Sequence, residues 1–216
     1  MLPAPNIVAM KAQSTVIIVD DDRQVRDAVG SLLRSMEFSV SAFSSVAEFR
    51  GAGLPNNAAC LILDVRLPGR SGLEFQRDLI AENIHLPVII MTGHGDIPMS
   101  VQAMKRGAIE FLTKPFRDQE LLDAVELGLA RDRARLEKEA SVSISMDLFR
   151  KLSPREREVM ELLVDGRLNK QIAGHLGISE VTVKIHRRNL MRKMRALNLI
   201  DLARIADRLG LRRGDR

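Results

Sequence analysis

The chain has 216 residues, enough for one large domain or two modest ones, and 45% of them are apolar, which excludes wholesale disorder. A single cysteine, Cys60, excludes an intramolecular disulfide; set in the apolar run 58–63, it reads as a small buried side chain and fits a reducing compartment. The net charge of +5 is unevenly divided: residues 1–127 carry 12 Lys+Arg against 16 Asp+Glu and residues 151–216 carry 16 against 8, so polyanion binding is expected in the C-terminal third.

Residues 1–15 contain no continuous apolar stretch of leader type, and no segment reaches the length of a membrane span, so a cytosolic protein with no membrane partner is expected. Val16-Ile17-Ile18-Val19 is a short branched run that ends abruptly in Asp20, Asp21 and Asp22. From Val25 the apolar period becomes helical, through Ala28, Val29, Leu32, Leu33 and Met36. Residues 40–43, 60–63, 88–91 and 109–112 are four more short strand candidates, separated by helical patterns or turn signals. Five apolar strands alternating with helices indicate a parallel sheet covered on both faces. Right-handed crossovers then align the C-terminal strand ends along one edge. Asp20, Asp64, Thr92 and Lys114 all lie at or just past such ends and should converge.

A helix beginning near Arg117-Asp118 continues through residues 131–135 with a strongly charged solvent face. It is longer than one sheet requires, so its end reads as a connector. Ser141, Ser143 and Ser145 alternate with Val142 and Ile144, a pattern of linker or short extended chain, and the hinge is placed at about 138–150.

Asp20 and Asp21 from one strand end and Asp64 from another make an oxygen-rich site. Like charges so close must share a cation or raise a pKa. Mg2+ is the natural cation, being partial to oxygen ligands and exchangeable water. Lys114 and Thr92 suit phosphoryl oxygens, one by charge and one by a hydroxyl donor. Asp64 is then a carboxylate nucleophile. Asp22 suits the N-cap of the following helix, but capping explains neither Asp64 on an apolar strand end nor Lys114 before Pro115.

Val19-Asp20-Asp21-Asp22, Leu63-Asp64-Val65-Arg66-Leu67-Pro68-Gly69, Met91-Thr92-Gly93-His94-Gly95-Asp96 and Lys114-Pro115-Phe116 resemble the receiver domain of two-component response regulators, over about residues 14–127. The resemblance implies a flavodoxin-like α/β fold with a five-stranded parallel sheet. It implies Asp64 as phosphoacceptor, with Asp20, Asp21, Asp64 and the main-chain carbonyl of Arg66 around Mg2+. Thr92 and Lys114 match the switch threonine and lysine, Phe111 the aromatic that turns inward on activation, and Lys114-Pro115 a peptide that is commonly cis. Arg66 and His94 occupy positions at which such domains tune the lifetime of the phosphate.

After an extended helix and linker at 128–148, residues 149–210 read as almost wholly helical. Ser153, Pro154 and Glu156 make a helix start with a capping box, and Gly166 ends that helix. Asn169 is taken as the cap of a short helix to Leu176, and Gly177-Ile178-Ser179 as a tight turn before a helix over 180–194. Two short helices joined by a Gly-containing turn are a helix-turn-helix signature. Val183, Leu190 and Met194 form the inward stripe of the second, while Lys184, Arg187, Arg188 and Arg192 project largely elsewhere.

This part resembles the C-terminal domain of the LuxR type, found in the NarL and FixJ groups of response regulators, through Leu152-Ser153-Pro154-Arg155-Glu156, Asn169-Lys170-Gln171-Ile172-Ala173 and Ser179 with Thr182-Val183-Lys184-Ile185-His186. It implies an all-α domain of four helices in which Lys184, Ile185 and Arg188 read bases while Lys170, Thr182 and His186 touch phosphate or support docking. The fourth helix, around Leu202, Ile205 and Leu209, is either a pairing surface or core.

Together the two resemblances imply a transcriptional regulator that takes a phosphoryl group from a sensor histidine kinase. It would then dimerise through Ile97, Val101, Met104 and Lys105 and bind promoter double-stranded DNA. Two other readings stay open: a phosphotransferase or phosphatase working through an aspartyl phosphate, and a constitutive DNA-binding protein with a non-signalling receiver.

Overall fold

Side-chain alternation along the strands builds the first half of the molecule. Strands β1 (Thr15–Val19), β2 (Ser39–Phe43), β3 (Ala59–Asp64), β4 (Val88–Thr92) and β5 (Glu110–Thr113) form one parallel sheet in the order β2-β1-β3-β4-β5. Val16, Ile18, Cys60, Ile62, Ile89 and Met91 point to one face. Ile17, Val19, Leu61, Leu63, Val88 and Ile90 point to the other. Because both faces are covered, the central strands β1, β3 and β4 are buried along nearly their whole length, which is why they read as continuous apolar runs, whereas the edge strands β2 and β5 carry Ser39, Ser41 and Glu110.

The computed structural model describes residues 14–211, so most of the 1–15 stretch read for a leader lies outside the described residues. The chain divides into two compact units after Leu136.

Helices α1 (Arg23–Ser35) and α5 (Asp118–Arg150) supply Val29, Leu33, Leu121, Val125 and Leu129 to the first face. Helices α2 (Val46–Ala52), α3 (Gly72–Ala81) and α4 (Ile97–Lys105) supply Phe49, Phe75, Leu79 and Ala103 to the second. A small antiparallel ribbon, Arg66-Leu67 against Arg70-Ser71, turns the chain directly after β3. Strand order reverses between β1 and β3, and the crevice at such a switch point is where open α/β sheets place their ligands. Asp20 and Asp64 stand at its two sides.

Two expectations about α5 are corrected. Residues 141–145 are helical, not extended chain. The Ser145 hydroxyl donates to the Ser141 carbonyl at 2.7 Å, so serine polarity that competes with a helix elsewhere is satisfied within it here. Asp132, expected on the charged solvent face, is 2% exposed. Its Oδ2 accepts the N–H of Ala59 at 2.9 Å, and its Oδ1 accepts from Arg135 at 2.8 Å. Ala59 opens the central strand β3, and a buried strand-start N–H requires a partner.

The second unit consists of α6 (Pro154–Val164), α7 (Asn169–Leu176), α8 (Glu180–Lys193) and α9 (Leu199–Arg208), with α8 packed against α6 and α7 and with α9 packed against α6. Val183, Leu190 and Met194 are fully buried against Val159, Met160, Ile172, Leu202 and Ile205. Each fully buried aliphatic side chain contributes about 1.5–3 kcal/mol, and here all four helices supply such side chains. Leu202 and Ile205 are therefore core. The turn into α8 passes through Gly177 at φ 65°, a left-handed position that costs glycine nothing. Asn169 is not the cap of α7: the helix includes it, Leu168 precedes it, and Gln171 Oε1 takes the Leu168 N–H at 2.9 Å. The Asn169 side chain instead accepts from Arg187 at 3.3 Å.

Candidate functional site

The parallel sheet brings together the side chains picked out at its strand ends. Asp20 is fully buried and Asp64 is 5% exposed. Lys114, just past β5, spans them: Nζ donates to Asp20 Oδ2 at 2.6 Å and to Asp64 Oδ1 at 2.9 Å. Asp20 Oδ1 accepts the Asp22 N–H at 2.9 Å, and Asp64 Oδ2 accepts the Arg66 N–H at 2.5 Å. Asp22 caps α1 through the N–H groups of Gln24 and Val25, while Asp21 is exposed beside it. The Lys114-Pro115 peptide is cis, as expected.

Burial is the largest influence on the Asp64 carboxyl and pushes its pKa up, aided by the Asp20 charge; the hydrogen bond and charge of Lys114 oppose it. For Lys114, burial alone would lower the pKa, but the two carboxylates reverse that and raise it. One ammonium between two buried carboxylates leaves a net negative pocket, suited to a cation. Among the described residues, no three His, Cys, Asp or Glu side chains are grouped as a metal cage.

Thr92, fully buried at the end of β4, accepts the His94 N–H on its hydroxyl oxygen at 3.2 Å. It thus holds the loop that leads to α4. In that loop Gly95 lies against Phe111: a Cβ built on Gly95 would sit 2.8 Å from the Phe111 ring and 2.9 Å from Thr113. Phe111 is half-buried on the α4 side of the sheet. On α4, Ile97, Val101 and Met104 are 79%, 45% and 44% exposed, and Lys105 is exposed as well.

In the helical unit, Ser179 caps α8 by accepting the Thr182 N–H at 3.1 Å, and the two hydroxyls lie 2.8 Å apart. Lys184, Ile185, Arg188 and Lys170 are exposed; Thr182 and His186 are half-buried. Arg187 is half-buried and tied to Asn169, so it serves the α7–α8 junction. Lys193 donates to the buried Glu156 at 2.6 Å, joining α8 to the capping box of α6, where Glu156 also accepts the Ser153 N–H at 2.8 Å.

Three contributors were missed in the sequence. Arg26 donates to the Asp20 carbonyl at 2.7 Å and steadies the end of β1; its position on the polar side of an amphipathic helix gave no sign of this. Gly72 lies so close beneath Asp64 that an added Cβ would be 2.1 Å from the Asp64 carbonyl oxygen. Asp132 anchors the far end of the strand that carries Asp64. None of these lies in a local motif.

Comparison with known proteins adds two family matches: "Response regulator receiver domain" over residues 16–126 and "Bacterial regulatory proteins, luxR family" over residues 150–206. The chain is 51% identical to Nodulation protein W of Bradyrhizobium diazoefficiens, over 92% of this chain and 88% of that protein. It is 45% identical to the Transcriptional regulatory protein FixJ of Azorhizobium caulinodans, over 88% and 90%. Among solved structures, the response regulator StyR superposes with a TM-score of 0.82 at 46% identity, covering 90% of this chain and 98% of that one.

Proposed function

This chain belongs to the two-component response regulators of the FixJ/NarL family, a receiver domain followed by a LuxR-type helix-turn-helix domain, and from that premise we propose how its own residues carry a phosphate signal to DNA. The architecture supports phosphorylation-linked transcriptional regulation. The observation that carries the finer reading is the Lys114 ammonium held between the buried carboxylates of Asp20 and Asp64.

A sensor histidine kinase presents a phosphohistidine. An Asp64 carboxylate oxygen attacks phosphorus in line. The O–P bond forms as the P–N bond breaks, and the leaving imidazole nitrogen keeps the electron pair, with a proton drawn from solvent as needed. Lys114 turns from the carboxylate to a phosphoryl oxygen, and the Thr92 hydroxyl donates to another. The acidic side chains offer only oxygen donors, which fits Mg2+, a cation held by one or two carboxylates together with substrate phosphate and water. Asp20, Asp21, Asp64 and the Arg66 carbonyl would hold it. When bound, Mg2+ offsets the charge of the phosphoryl oxygens. An apolar hollow of 460 Å³ beside Lys114, lined by Val25, Ala28, Leu32 and Phe116, offers the kinase domain a docking face next to the acceptor.

Once Thr92 bonds to phosphate, the loop it restrains through His94 shifts, and Gly95 in that loop rests on Phe111. The change thereby reaches α4, where Ile97, Val101, Met104 and Lys105 pair with a second copy. Dimerisation sets two helix-turn-helix domains on neighbouring half-sites of promoter DNA. Lys184, Ile185 and Arg188 face the base edges; Lys170, Thr182 and His186 serve the phosphates. The protein acts as a phosphoryl acceptor that sheds its own phosphate rather than as an enzyme with a separate substrate. No helix among the described residues is long and apolar enough to cross a membrane.

Incubation with acetyl phosphate and Mg2+ followed by intact mass tests the reading. One added phosphate is expected on the wild type and none on Asp64→Asn. Normal incorporation into that variant would place the acceptor elsewhere. Sedimentation before and after treatment tests the dimer, and equal association in both states would remove dimerisation from the switch.

A further inference from the structure

Two exposed, β-branched apolar side chains on α8 call for a reason. Val181 is 66% exposed and Ile185 46% exposed. At 3.6 residues per turn, Val181, Lys184, Ile185, Arg188 and Arg192 fall within an arc of about 100°, opposite the buried stripe of Val183, Leu190 and Met194. In the free protein nothing is gained there: valine and isoleucine are poorer helix formers than alanine, and their apolar surface stays wet. Solubility and helix stability would both be better served by Ala, Gln or Lys. The positions gain only when that face is covered, and its cations restrict the cover to a polyanion.

We propose that Val181 joins Ile185 in a methyl-reading strip, packing on the C5-methyl groups of thymines in the major groove while Lys184 and Arg188 bond to neighbouring base edges. This rests on the proposed role of α8 as the recognition helix. It adds a specificity residue at the N-terminal turn, which is the part of such a helix that reaches the bases. The C5-methyl is the only apolar group that the four natural bases show in that groove. Val181 and Ile185 are four residues apart, about 6 Å along the axis. Steps along one DNA strand are about 3.4 Å. The two side chains therefore address thymines about two base pairs apart, one each.

The test uses the full chain, treated with acetyl phosphate, and a duplex selected by the wild type from a randomised library. Each thymine of the selected site is replaced singly by deoxyuridine, which removes only the methyl. Wild-type affinity should fall about four-fold, the worth of one buried methyl group, at two positions about two base pairs apart. Val181→Ala should be blind to uracil at one of these, and Ile185→Ala at the other. Neither variant should change the salt dependence. A selected site without thymine, or a Val181→Ala variant with the wild-type uracil penalty at every position, overturns the inference. Lys184→Ala separates this from the underlying reading. If it keeps the full ratio of specific to scrambled affinity, α8 is not the reader. If it loses that ratio while Val181→Ala changes nothing, only the methyl strip fails.

Discussion

Replacing Gly72 by alanine adds one methyl group beneath Asp64, the proposed phosphoacceptor. The ribbon after β3 folds the chain back so tightly that the Gly72 N–H bonds to the Val65 carbonyl at 2.9 Å. The new Cβ would lie 2.1 Å from the Asp64 carbonyl oxygen and 3.0 Å from its carbon. Carbon–oxygen contacts normally begin near about 3.3 Å, so β3 and α3 must part by about 1.2 Å. Overpacking costs about 1–3 kcal/mol, and here backbone rather than a side-chain tip must yield, so about 3 kcal/mol is expected. A reacting group displaced by about 1 Å loses on the order of a hundredfold in rate, and Asp64 sits on the part that moves. Phosphorylation by acetyl phosphate, followed by intact mass over time, should slow by about that factor. The chain has no Trp or Tyr, so stability is best followed by far-ultraviolet circular dichroism. Gly93→Ala is the control: nothing lies within 4 Å of its Cβ, and a change within about 0.5 kcal/mol is expected. A Gly72→Ala protein phosphorylated at the wild-type rate would refute the claim that this close approach sets the acceptor's position.

Gly128→Ala should destabilise the receiver by about 1 kcal/mol, since overpacking exceeds the gain in helix propensity: the added Cβ would lie 2.5 Å from Cys60 Sγ but 3.4 Å from Cys60 Cβ. The double variant with Cys60→Ala should melt at or above the wild type, a coupling of about 2 kcal/mol, and additive losses in thermal melts would contradict the contact. Burial alone would raise the pKa of Glu156, yet Lys193 and Ser153 bring it below the ordinary value. A depressed carboxylate contributes stability that is complete above about pH 4.3 and disappears as pH falls through the lower folded pKa. Glu156→Gln should therefore cost about 2 kcal/mol near neutrality and flatten the acid limb of a pH–melting series, whereas an unchanged acid limb would show that the pair contributes little. On DNA, Lys184→Ala or Arg188→Ala should lose about 1–3 kcal/mol on the specific site and much less on scrambled duplex. Lys170→Ala should weaken both about equally and lower the salt slope by roughly one unit. Equal losses on both duplexes for Lys184→Ala and Arg188→Ala would make α8 an anchor rather than a reader.

The sequence by itself determined the order of strands and helices, the four acidic, hydroxyl and lysine positions of the pocket, the caps at Asp22 and Ser153, and the inward stripe of α8. All of these follow from local signals: period, branching, capping chemistry and abrupt charge at strand ends. Only the tertiary structure decided which carboxylates Lys114 joins, because Asp20 and Asp64 lie far apart in the chain and meet only where the sheet aligns its strand ends. It also decided that Asp132 is buried rather than solvated, since the β3 N–H it satisfies belongs to a residue 73 positions away. Residues 141–145 resisted local reading because serine back-bonding inside a helix and serine in a linker look alike in one dimension. Asn169 resembles a cap for a different reason: the partner of its side chain, Arg187, arrives from the next helix. Gly72 had no local signature, because a close approach depends on what the fold places opposite the glycine, and that is a property of packing.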